Sequence, residues 1–165
     1  MVESALVSGL KKSRFFRNLS EEELEQLGAI CREVELPPHY VIFEEYDRAR
    51  EVYVLTRGEV SLAICEPQES CRQIAVVGEG DLVGWSALLG RTRLTDSATT
   101  ITPVKAIVFD GQELSDFCAK HPAIGYEFMR QAASALALRL SGTRLQLLEM
   151  CGSSFPLAGV RFESD

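Results

Sequence analysis

The spacing of apolar residues changes twice along this chain of 165 residues and divides it into three zones. In the first, residues 4–12 read as a weakly marked helix. A better one follows, with Ser20 as its N-cap, Glu23 reaching back to complete a capping box, and Leu19, Leu24, Leu27 and Ile30 on one face. It is expected to end near Ile30. From Cys31 to Asp110 the period drops to two, in short runs rich in Val, Ile, Tyr and Phe. Eight runs stand out, at 32–36, 40–44, 51–56, 59–65, 72–77, 82–83, 97–101 and 105–110. Turn residues separate them: Pro37 and Pro38, Arg57 and Gly58, Pro67, and the Gly78, Glu79, Gly80, Asp81 group. Eight short antiparallel strands predict a double-stranded β-helix, or jelly roll. The fold class is therefore mainly β with flanking helices.

In the third zone the period returns to that of a helix. His121 and Pro122 open it, with proline at a first-turn position where its missing N–H costs nothing. Ile124, Phe128, Ala132, Leu136, Leu140, Thr143, Leu147 and Cys151 then recur at steps of three or four, and Met129, Ala133 and Leu148 widen the stripe. Gly152 is expected to stop the helix. A helix of about 29 residues is about 43 Å long, more than one small sandwich covers. A second copy is the simplest partner for the surplus, as a parallel homodimer through 125–150. A break at Ser141 and Gly142, folding the helix back on its own sheet, is the alternative. The divisions are thus 1–30 (helical segment), 31–110 (roll), 111–151 (helices for dimerisation and readout) and 152–165 (tail). The tail spaces Phe155, Leu157, Val160 and Phe162 without helical period, and either an extended arm or a disordered end fits it.

Composition narrows the setting. A hydrophobic content of 46% supports a core without metals or disulfides. No apolar run approaches the roughly 18 residues of a membrane span, and Lys11, Lys12 and Arg14 follow the first apolar stretch, the wrong order for a secretory signal. A cytoplasmic protein without membrane contact is expected. The five cysteines include no C-x-x-C pair, so no zinc site is indicated. Cys65 and Cys71 flank a proline-containing turn and could face each other across a hairpin, although cytosolic disulfides are rare. The formal charge of −7 argues against nucleic-acid contact. No basic cluster beyond Lys11, Lys12 and Arg14 is visible, and no DNA-reading helix-turn-helix fits after the long helix.

Catalysis lacks its ingredients. Jelly-roll metalloenzymes need two or three histidines and a carboxylate, and this chain has only His39 and His121. No G-x-S-x-G, HExxH or Walker motif is present. Ser86 has no histidine near it in sequence and reads as a helix-cap hydroxyl.

Residues 78–99, GEGDLVGWSALLGRTRLTDSAT, carry the most specific signal. A tight turn leads into a short strand ending at Gly84, and the following residues have the composition of one helical turn, whose first N–H groups favour an anion. The segment resembles the phosphate-binding cassette of the cyclic nucleotide-binding domain family, the regulatory domains of catabolite-activator proteins and of cyclic-nucleotide-gated kinases and channels. The resemblance extends over about residues 10–150 through Phe15, Phe16, Leu19 and Ser20, the strand-turn-strand from Val54 to Val60, and the Gly78 turn. It implies a ligand sensor read out through the C-terminal helix; a DNA-binding domain is not expected in this chain, and a separate output protein is the candidate receiver of the signal. The implied ligand-binding residues are Val83, Gly84, Trp85, Ser86, Ala87, Leu88, Arg91, Arg93, Asp96, Ser97 and Ala98.

Two side chains depart from the family pattern. Trp85 stands where a glutamate accepts the ribose 2′-hydroxyl, and tryptophan has no acceptor. Asp96 stands where an arginine pairs with the cyclic phosphate, and a carboxylate repels it. Arg91 and Arg93 lie between them and could supply the missing charge, though each alone also reads as a solvated loop residue. No cofactor is certain, and a cyclic nucleotide or another small anion is the candidate ligand. A ligand-less dimeric interaction module is the alternative. A third departure is Tyr46, where the family has glycine. Tyrosine enters a left-handed turn less cheaply, so this loop is expected to take another shape.

Overall fold

In the computed structural model, residues 5–65 and 70–152 are described. Two short helices, α1 (Ala5–Lys12) and α2 (Glu21–Gly28), precede eight strands. These are β1 (Cys31–Leu36), β2 (Val41–Phe43), β3 (Glu51–Arg57), β4 (Val60–Ile64), β5 (Arg72–Val77), β6 (Leu82–Val83), β7 (Ser97–Thr100) and β8 (Val104–Asp110). The single turn α3 (Trp85–Leu88) follows β6, and α4 (Gly111–Lys120) and α5 (Pro122–Cys151) close the fold. The strands form two four-stranded antiparallel sheets, ordered β1-β8-β3-β6 and β2-β7-β4-β5. The family's jelly-roll architecture is thus present, with helices on its flanks.

The alternation of side chains explains why β8 is apolar on both faces. Ile107 and Phe109 join a cluster with Leu10, Phe16, Leu24 and Leu27 beneath the N-terminal helices. Val104 and Ala106 point the other way, into a second cluster with Phe43, Leu55, Leu62 and Ala98 between the sheets. The capping box of α2 forms as expected: Ser20 N–H donates to Glu23 Oε2 at 2.7 Å, and Glu23 N–H to Ser20 Oγ at 3.2 Å. The helix stops at Gly28, two residues short of Ile30.

The long helix α5 has 30 residues and runs unbroken through Ser141 and Gly142. The fold-back alternative is therefore excluded. The stripe assigned to a partner needs correction over its first half. Ile124, Phe128 and Ala132 are buried in the chain's own fold, Phe128 lying 5.5 Å from the ring of Phe16 and 5.6 Å from that of Phe15. Beyond them Leu138, Leu140, Leu145, Leu147 and Leu148 are exposed.

Tyr46 corrects another expectation. Its φ is +69°, so it takes the left-handed turn that was expected to be avoided, at a cost of roughly 1–2 kcal/mol. The loop is held from both sides: Tyr46 N–H donates to the Leu94 carbonyl at 3.0 Å, and Arg93 Nη1 donates to the Tyr46 carbonyl at 3.1 Å. Cys65 and Cys71 form a disulfide at the β4–β5 hairpin, while Cys31, Cys118 and Cys151 are free. The tail beyond Gly152 and the turn at Pro67 lie outside the described residues.

Candidate functional site

The segment from β6 to α3 is shaped by one glycine. Gly84 has φ +79°, and a Cβ there would meet the Glu51 carbonyl oxygen at 2.5 Å. Only glycine lets β6 turn so tightly against β3. The turn α3 starts at Gly84 without any side-chain cap, so Ser86, which is buried, is not the cap hydroxyl read from the sequence. Ala87 N–H donates to the Gly84 carbonyl at 3.1 Å. Of the amides at 86–88 that would face an anion, that one is already engaged.

A hollow of about 290 Å³ lies between β5 and α5, lined by Ile74, Val76, Asp81, Leu138, Arg139 and Thr143 among others. Its main cation comes from the helix. Arg139 Nη2 donates to the Leu82 carbonyl at 2.9 Å. Burial pulls the guanidinium's pKa below its ordinary value, and the charges of Asp96 and Asp81 pull it back up. Asp96 feels the reciprocal field: burial raises its carboxyl pKa, Arg139 lowers it, and Glu45 adds to the rise. Burial is the larger effect. Asp81 is held by Arg14 Nη2 at 3.0 Å and accepts the Gly78 N–H at 3.0 Å, which ties the glycine turn to the N-terminal segment.

Of the residues implied by resemblance, Val83, Gly84, Ser86, Ala87, Leu88 and Ala98 are buried, Ala87 and Leu88 in the core beneath the N-terminal helices and Val83 and Ala98 in the core between the sheets, and none of the six lines the hollow under α5. Ser97 Oγ accepts the Glu45 N–H at 2.9 Å. Trp85 is half-buried, and the guanidinium of Arg91 lies 5.6 Å over its ring. Arg91 and Arg93 are both exposed and line hollows other than the one under α5. Arg139, Thr143 and Asp81 were missed. The available signal was a single charge, Arg139, set within the apolar run from Ala135 to Leu140. Among the described residues, no group of three His, Cys, Asp or Glu could hold a metal ion.

The sequence profile of the cyclic nucleotide-binding domain family matches residues 33–121. A curated relative, the CRP-like cAMP-activated global transcriptional regulator of Mycobacterium tuberculosis, is 24% identical over 147 residues. That match covers 89% of this chain and 64% of the relative, so the chain spans under two thirds of the relative's length. A cyclic nucleotide-binding domain from Methylobacillus flagellatus shares the fold with a TM-score of 0.74 at 20% identity, covering 88% of this chain and 82% of that one. The c-di-GMP responsive global regulator CLP of Xanthomonas campestris also shares it, with a TM-score of 0.73 at 17% identity over 81% and 66% of the two chains. Among the described residues no helix is long and apolar enough to cross a membrane.

Proposed function

Because this chain belongs to the cyclic nucleotide-binding domain family, we propose that it is a regulatory module that takes a small anionic ligand in the hollow beneath α5 and signals through that helix. The observation that carries this reading is Arg139, a helix-borne guanidinium directed at the β6 backbone on the wall of that hollow. An arriving anion would exchange the Leu82 carbonyl and the field of Asp96 for its own charge, and the helix bearing Arg139 would feel the exchange. The module performs no catalysis, works in the cytoplasm, and contacts neither nucleic acid nor membrane. Its output runs through a second copy along the exposed leucines of α5, and through a separate protein.

Cyclic AMP and cyclic GMP bind weakly or not at all. Trp85 offers no acceptor to a ribose hydroxyl, and the carboxylate of Asp96 repels a phosphodiester where the family has an arginine. Other regulators of this fold differ in ligand, as the name of the c-di-GMP responsive protein states of that protein. A second reading is a ligand-less dimeric module. It is favoured by the mutual field of Asp96 and Arg139, in which each charge partly satisfies the other without any ligand.

Calorimetric titration with the two cyclic nucleotides and with c-di-GMP tests these readings. The expected result for cyclic AMP and cyclic GMP is no saturation at micromolar concentration in the parent. For the sensor, any anion that does bind should lose its heat signal in Arg139→Ala. Micromolar cyclic AMP binding in the parent would overturn the reading of Trp85 and Asp96.

A further inference from the structure

The outer side of the α3 turn carries a feature that the overall charge hides. In a chain of net charge −7, four arginines line one open hollow of about 800 Å³: Arg48, Arg50, Arg91 and Arg93. They come from two distant segments. Residues 48 and 93 face each other as an antiparallel bridge pair, which brings both segments to the same rim. None of the four makes an ion pair among the described residues, although acidic residues outnumber basic ones 24 to 17. The carboxylate lining the hollow, Asp110, serves as the N-cap of α4 by accepting the Glu113 N–H at 2.9 Å. Asp47, next to Arg48, is similarly engaged with the Glu44 N–H at 3.0 Å.

Two of the guanidiniums are held in place before anything binds. Arg93 is fixed to the Tyr46 carbonyl, and Arg91 rests over the Trp85 ring. Holding them reduces the rotamer entropy that binding would otherwise remove. Apolar surface adjoins the arginines: Tyr46, 66% exposed, lines a neighbouring hollow with Arg91 and Arg93, and Leu89, 54% exposed, precedes Gly90 of the rim. Arginine beside aromatic side chains is the composition found at the energetic centres of protein interfaces.

We infer that this face docks an acidic, extended segment of a partner protein, with its carboxylates on Arg48, Arg50 and Arg91 and an apolar side chain against Tyr46 or Leu89. The openness of the hollow and the exposure of the arginines disfavour a lone small anion, because exposed charges gain little individually in water. Several carboxylates on one chain gain together. Duplex nucleic acid or a lipid surface would extend its negative field past the arginines onto a chain that is itself acidic. A short peptide confines its charge to the arginines. Since this hollow shares no lining residue with the one under α5, docking does not depend on what that hollow holds.

The test uses the full chain and a fluorescein-labelled twelve-residue peptide of alternating glutamate and aspartate with one central phenylalanine, followed by fluorescence anisotropy. Saturable binding is expected, weakening about tenfold between 50 and 300 mM salt as the charges are screened. Arg48→Glu with Arg91→Glu should weaken it about thirtyfold or more while thermal midpoint and elution volume stay at parental values. Arg48→Ala with Arg91→Ala should give a smaller loss in the same direction. Absence of saturation, or equal binding by parent and both variants, overturns the inference. Tighter binding of a twelve-nucleotide DNA strand or of phosphatidylserine vesicles than of the peptide also overturns it, by assigning the arginines to phosphate.

Discussion

Arg139 of α5 holds the backbone carbonyl of Leu82 in β6 at 2.9 Å, joining the long helix to the strand that leads into the α3 turn. A hydrogen bond from a charged donor is worth about 1.5–3 kcal/mol when it is shielded from water, and this half-buried pair belongs at the lower end. Arg139→Gln should lower the thermal midpoint by about 2–6 °C for a domain of this size. Amide exchange should quicken on the C-terminal side of α5 more than in β3 or β8. Unchanged exchange along the helix would show that the contact does not fasten it.

Asp96 gives a pH-dependent counterpart. Burial raises its folded pKa above the unfolded value, and the attraction of Arg139 does not fully offset that. The folded state therefore holds the proton more tightly than the unfolded chain. The associated stability is complete below an unfolded pKa of about 4 and is lost as pH rises through the folded value. Asp96→Asn should thus be more stable than the parent at pH 7, with the advantage vanishing below about pH 4. Urea melts of both proteins across this range check the sign; a parent more stable at pH 7 contradicts it.

If the cassette keeps the shape of a nucleotide site, restoring the family chemistry should restore the family ligand. Trp85→Glu with Asp96→Arg is expected to convert negligible cyclic AMP binding into a calorimetric signal, a gain of at least about ten- to hundredfold from one charge-assisted pair. A silent double variant that still melts cooperatively would mean that other residues around the cassette exclude the nucleotide.

The exposed leucines of α5 make a prediction about assembly. Leu145→Asp with Leu148→Asp, at sites 63% and 51% exposed, should shift the protein from dimer to monomer in sedimentation velocity with little change in its melting. A parent that sediments as a monomer at high concentration removes the idea.

For the hairpin disulfide, thiol titration of the denatured, unreduced protein should count three thiols and after reduction five. In the native state Cys31 should react slowly, since burial pushes its pKa up to about 12. Closing so short a loop contributes about 2 kcal/mol, so Cys65→Ser should lower stability by that order.

The roll was readable because its strands alternate and its turns carry proline and glycine at the required positions; β5 and β6 begin and end where the sequence places them. The capping box fixed the start of α2 for the same local reason. The site was less legible. Arg91 and Arg93 sit beside the cassette in sequence, but their direction is set by Tyr46 and Trp85, which no local pattern reveals. Arg139 lies far along the chain and reaches β6 only after α5 docks through Phe128. Tyr46 shows the limit of propensity arguments: two hydrogen bonds to its backbone hold a left-handed turn that its side chain disfavours.

Between Arg139 and the end of α5 every residue from Leu140 to Met150 is exposed, and at Gly142 an added Cβ would meet no atom within 4 Å. On the proposed function, Arg139 would be the fulcrum of a lever. The helix beyond it, Leu140 through Cys151, extends about 18 Å, so a tilt of about 10° at the arginine sweeps the far end through about 3 Å. A displacement of that size equals more than half of a helical pitch of about 5.4 Å. In the proposed dimer, two such arms set side by side would have to change which leucines mesh, so a disturbance too small to notice in the hollow would become a change of gear at the tip.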